Sequence, residues 1–98
     1  MKDLVLDREL ADAADLDDRI RFDPDAEIME VDFSDLAFLT SAGVNRVYDR
    51  IESRIAETGE DRWFFLVNYS GSRVDPAAWV AFARRGKQLN LAHSQGTV

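Results

Sequence analysis

The stretch EIMEVDFSDLAFLTSAGVNRVYDRIESRIAETG, residues 27–59, constrains the fold more than any other part of the chain. Ile28, Met29, Val31 and Phe33 make a strand-length apolar run. Val44, Val47, Tyr48, Ile51 and Ile55 then follow at offsets of 3, 4, 7 and 11 from the first, which aligns them along one side of a helix. Thr40 or Ser41 is the expected N-cap, because a hydroxyl there accepts from the unpaired N–H groups of the first turn. Gly59 suits the left-handed position that ends a helix. Leu36, Phe38 and Leu39 are too apolar for an exposed connection and are expected to tuck beneath the helix.

The rest of the chain reads as a second copy of this unit. WFFLVNY, Trp63 to Tyr69, has no outward polar position before Asn68, which predicts a strand covered on both faces. Ser70-Gly71-Ser72-Arg73 is a loop. Asp75-Pro76 is a strong helix start, and Trp79, Phe82 and Ala83 are expected to face inward. Gly86 is expected to stop that helix, with Arg84, Arg85 and Lys87 complementing its negative end. Leu89 and Leu91 alternate, predicting a short strand over Gln88–Ala92 and a loose tail. Upstream, Ile20 and Phe22 alternate in RIRFD, and Asp23-Pro24-Asp25 is turn chemistry, so Arg19–Phe33 reads as a hairpin. Residues 1–18 stay open: Leu4–Leu6 suits a short strand, and residues 9–18 suit a helical turn or a loop carrying Leu10 and Leu16 inward.

The predicted fold is therefore α/β, a single domain over residues 1–98 with the order β-β-α-β-α-β. The sheet is mixed, mostly parallel and four-stranded, because helical crossovers join parallel neighbours. A chain of 98 residues buries roughly 60–70% of its unfolded surface, enough for one modest core. With no cysteine there is no disulfide frame or thiolate site, and a single histidine, His93, excludes a histidine-rich metal centre. No cofactor or metal is expected. No apolar run approaches a membrane span, no signal peptide is evident, and the default compartment is the cytoplasm. The net charge of −7 is unevenly placed: residues 1–35 carry 13 acidic and 4 basic side chains, and the remainder carries 6 acidic and 8 basic. That balance argues against nucleic acid as a partner.

In parallel α/β sheets ligands gather where strands run into helices. The predicted order puts three such loops on one rim: Leu39–Gly43, with Thr40, Ser41 and Gly43; Asn68–Arg73, with Ser70, Gly71, Ser72 and Arg73; and His93-Ser94. Helix N-termini there favour an anion such as a phosphate or carboxylate, although the same residues also serve as ordinary caps and turns. Arg46, Arg50 and Arg54, four apart, form a row along the first long helix. The row is either a solvated face or a docking row for an acidic partner or for the acidic N-terminal segment.

DFSDLAFLTSAGVNRV, residues 32–47, resembles the core signature of STAS domains, which include anti-anti-sigma factors of the SpoIIAA type. That signature is a strand, a short apolar loop, then Asp-Ser-Ser/Ala-Gly opening a helix; Thr40-Ser41-Ala42-Gly43 matches it with Thr40 in place of the aspartate. The resemblance covers residues 19–93 and implies a non-enzymatic regulatory or protein-interaction module, phosphorylated at Ser41. A protein partner is then expected, with Arg46, Arg50 and Arg54 on its contact face. The compact order is closer still to a branch of small bacterial proteins resembling lipid carriers, which implies a second reading. In it Tyr48, Trp63, Tyr69, Trp79 and Phe82 line a pocket for a small molecule or lipid, although core packing also accounts for aromatics. A hydrolase built from Ser41, Ser70 or Ser94 with His93 is disfavoured by the absence of a G-x-S-x-G elbow and of a placed carboxylate. A homodimer through Ile20, Phe22 and Met29 is expected if nothing else covers the sheet.

Overall fold

The computed structural model describes residues 4–5 and 13–97. The element order is β1 (Leu4–Val5), α1 (Ala13–Asp18), β2 (Ile20–Asp23), β3 (Ile28–Asp32), β4 (Leu36–Phe38), α2 (Ser41–Thr58), β5 (Trp63–Asn68), β6 (Arg73–Val74), α3 (Pro76–His93) and β7 (Ser94–Thr97). The predicted four-stranded mixed sheet is present in the order β2-β3-β5-β7, with β2 antiparallel to β3 and the other pairs parallel. A second, three-stranded parallel sheet, β1-β4-β6, was not anticipated.

That second sheet corrects the reading of Ser34–Leu39 as a connection. Leu36, Ala37 and Phe38 are fully buried in a short strand of their own. The chain steps from one sheet to the other at Asp35, which adopts a left-handed φ of 60° and donates its N–H to Ser70 O. Likewise β5 passes through Gly71 (φ 71°) into β6. Each half is thus a long strand, a step, a short strand and an 18-residue helix. Ile28 pairs with Phe64 and Ala37 with Arg73, both 36 positions apart.

The helix α2 is as expected. Thr40 is the N-cap, its Oγ1 accepting from Gly43 N at 3.0 Å, and Gly59 closes the helix at φ 78°. The second helix differs. Gly86 does not stop it; α3 runs on to His93, so the expected strand Gln88–Ala92 is helical and the expected loose tail is β7, paired with β5. Its buried side is Ala78, Ala81 and Leu89, with Phe82 half-buried, whereas Trp79 and Ala83 face solvent.

The core lies on one side of the four-stranded sheet. Ile20, Met29, Val31, Trp63 and Phe65 pack there against Leu16 of α1, the apolar stripe of α2 and the buried side of α3. On the other side β5 is not covered as expected: Phe64 is 37% exposed and Leu66 is half-buried. Two shallow clefts of about 310 and 300 Å³ lie there and share Arg21, Glu30 and Leu66. The patch proposed for a homodimer does not exist, because Ile20 and Met29 are buried and Phe22 packs on Trp63.

Candidate functional site

Two strand-to-helix passages meet at one rim. Asp75 N donates to Phe38 O (2.9 Å), joining the end of β6 to the end of β4. Asp35 N and Ser70 O join the two steps beneath (2.8 Å). Ser41, the first residue of α2, is exposed, and its Oγ lies 3.5 Å from Ala77 O in the first turn of α3. The helices run side by side in the same direction from that point. Farther along, Arg85 of α3 donates to Asn45 Oδ1 (2.9 Å), Asp49 Oδ1 (2.8 Å) and Glu52 Oε1 (3.3 Å), and its guanidinium sits over the Tyr48 ring. Burial pushes the Tyr48 phenol well above its ordinary value, so it is neutral at any physiological pH.

The structure thus joins Ser41, at the start of α2, to the start of α3 at Ala77, whereas Ser70 and Gly71 of the second predicted loop lie at the opposite end of the short β4–β6 pair, against Asp35. The third predicted loop is elsewhere. Because the last strand begins at Ser94, His93 and Ser94 lie at the start of β7, beside the start of β5. His93 Nδ1 donates to Asp61 O (2.8 Å), and Arg62 donates to Ser94 O (3.0 Å). Ser94 Oγ is engaged with Gly96 backbone. His93 is therefore at the opposite end of the sheet from Ser41 and Ser70, and those residues do not form a nucleophile–base pair.

The rim is also less hospitable to an anion than two helix N-termini suggest. Asp75 caps α3 with its own carboxylate, which accepts from Ala77 N (2.9 Å), and its backbone carbonyl takes Ala78 N (2.8 Å). Pro76 has no N–H to offer. The α3 terminus is thus already satisfied by a negative group, whereas the start of α2 is capped by the neutral Thr40 hydroxyl.

The arginine row is divided. Arg50 grips Asp17 of α1 with Nε on Oδ1 (2.6 Å) and Nη2 on Oδ2 (2.9 Å), and Arg54 donates to Asp17 O (3.2 Å). Hydrogen bonding from Arg50, with its positive charge and that of Arg54, holds the Asp17 carboxyl below the usual carboxylate range. Two of the three arginines therefore dock the acidic N-terminal segment, one of the two uses expected for the row; Arg46 is exposed. Sequence reasoning missed Asp17 as their partner, Arg85 as the tie between the helices, and Arg19, which donates to Asp32 O and Ser34 O (both 3.0 Å). No local spacing signals such tertiary pairs.

The aromatics expected to line a pocket pack on one another. Phe33, Phe38, Tyr48 and Phe82 form a cluster with ring centroids 5.0–6.4 Å apart. Tyr69 and Trp79 lie at its edges, more than half exposed, and Trp63 packs separately on Phe22. Among the described residues no group of three or more His, Asp or Glu side chains is arranged to hold a metal ion, and no helix is long and apolar enough to cross a membrane. Comparison of the chain with protein-family models, with curated proteins and with solved structures returns no match.

Proposed function

We propose that this protein is a small, non-enzymatic protein-interaction module of the STAS, SpoIIAA-like kind, in which modification of Ser41 alters the contact face formed by the rim and the start of α2. The observation that carries the proposal is the position of Ser41. Its hydroxyl is exposed, opens a helix, and reaches across to the Ala77 carbonyl of the neighbouring helix. Phosphorylation would remove that donor and add a charge of about −1.5 to −2. The start of α2 tolerates the charge. The facing turn of α3 does not, because it presents a carbonyl oxygen and the Asp75 carboxylate. The modified rim would therefore open between the two helix starts. No catalytic residue, cofactor or metal is part of the proposal.

The test compares Ser41→Asp with Ser41→Ala. The aspartate variant should speed amide exchange at residues 76–79 and change which proteins the module retains; the alanine variant should do neither beyond a small loss of the hydroxyl contact. Identical exchange and identical partners for the two variants would remove the switch.

A further inference from the structure

We propose that the outward side of α3 is a docking surface for an acidic amphipathic helix of a partner protein. This surface is separate from the Ser41 rim and does not depend on the switch. The outward side of a surface helix is normally polar. Here Val80, Arg84, Lys87 and Leu91, at offsets of 4, 7 and 11, share that side and all are exposed. Val80 is 70% and Leu91 71% exposed, with Trp79 at 56% on the flank. Three of the five large apolar side chains exposed among the described residues thus lie on one helix.

The helix is also the electrostatic exception in an acidic chain. Residues 76–93 hold Arg84, Arg85 and Lys87 and no Asp or Glu, while the whole chain is at −7. Arg85 is turned inward onto Asp49 and Glu52. Arg84 and Lys87 are exposed and carry no ion pair among the described residues. The stripe is thus apolar at its two ends and cationic in its middle, with the ends roughly 16 Å apart at about 1.5 Å per residue.

That order selects the occupant. A second copy related by a two-fold axis through the stripe would set Arg84 and Lys87 against the same cations, a like-charge contact. An anionic membrane would attract only two cations on this side and would repel the rest of a −7 chain. A helix with apolar residues at both ends of one side and carboxylates between them matches every position, and Trp79 supplies the kind of exposed aromatic that anchors interfaces.

The probe is a synthetic helical peptide carrying two leucines and, between them on the same side, two glutamates. Its control has lysines in place of the glutamates. Trp79 is the exposed tryptophan and Trp63 is buried, so docking reads as a blue shift of emission that Trp79→Phe abolishes. The glutamate peptide should bind, more weakly as salt rises, and R84E/K87E should weaken it by about tenfold or more and shift preference to the lysine peptide. Both substitutions are on the surface, and an unchanged circular dichroism melt confirms that the variant folds. Ser41→Ala should bind as the parent does. The proposal is overturned if both peptides bind alike or neither binds, or if the double variant binds the glutamate peptide as well as the parent. It is equally overturned if only phosphatidylserine vesicles shift the emission, or if the shift follows protein concentration alone.

Discussion

Gly86 is an interior residue of the 18-residue helix α3, where glycine costs roughly 0.5–1 kcal/mol relative to alanine. A Cβ there would meet the Tyr48 hydroxyl at 3.5 Å, an ordinary contact. Gly86→Ala should therefore stabilise the protein by about 0.5–1 kcal/mol, read as a raised midpoint in urea unfolding; a lowered midpoint would mean that α3 needs the glycine to approach α2. Gly71 behaves in the opposite way. Its φ of 71° strains any L side chain, and a Cβ there would push the Asp35 carboxylate aside, so Gly71→Ala should cost about 1–2 kcal/mol in the same measurement. These two glycines show what was legible at this scale. Gly59 and Gly71 were readable as turn residues because both keep a left-handed backbone. Gly86 was misread as a helix stop, since glycine after an apolar stripe with cations nearby has the look of a C-cap. Leu89 and Leu91 reinforced the error. Two positions apart, they would share one face of a strand, but one is 5% and the other 71% exposed, the opposite-side placement that a helix gives.

Among elements, α1 is the one whose placement depends on charge. It contributes Leu16 to the core, and Asp17 ties it to α2 through the paired bonds from Arg50 and the backbone bond from Arg54. The Asp17 carboxyl is held below its usual value by Arg50. Its contribution is therefore complete above the ordinary aspartate pKa of about 3.9 and is lost as pH falls through the lower folded value. A carbon-13 titration of Asp17 should give a midpoint below about 3.9, and Arg50→Gln should return it toward that value. Amide exchange in α1 should rise over the same acid range, and Asp17→Asn should reproduce the rise at neutral pH; an α1 indifferent to both changes would mean that Leu16 alone holds it. The strands β3 and β5 and the helix α2 were legible because each carries a long apolar pattern and a cap. The short strands β4 and β6 were not. With three and two residues they have no period to read, and what makes them strands is pairing with each other and with β1.

At the scale of the whole molecule, the chain is the same two-strand-and-helix unit set down twice, with residues 36 apart aligned in both sheets and Ser41 facing Ala77 at the helix starts. That relation is why the rim was legible although few identical residues link the halves (Val31 and Val67, Ser34 and Ser70, Ala42 and Ala78 among them): strand, step and helix recur in order, and parallel crossovers bring their ends together. The end of the repeat was legible only in part, because SQGT lacks the apolar alternation of a strand. Its role follows from what it covers. Without β7 the run Trp63–Asn68 would become an edge, and an exposed apolar edge strand is a template for aggregation. Pairing at Trp63, Phe64 and Phe65 would be lost with it, along with the Arg62 bond to Ser94 O. With each buried or half-buried ladder bond contributing about 0.5–1.5 kcal/mol, deletion of residues 94–98 should destabilise the domain by roughly 2–4 kcal/mol. Urea unfolding measures that loss, and light scattering should register concentration-dependent association of the shortened chain. The association should fall when Phe64, the outward apolar residue beside the vacated position, is replaced by Lys, a charge that blocks edge pairing. A shortened chain that stays monomeric and equally stable would show that β5 is an acceptable edge and that the four-stranded sheet is complete in its first three strands.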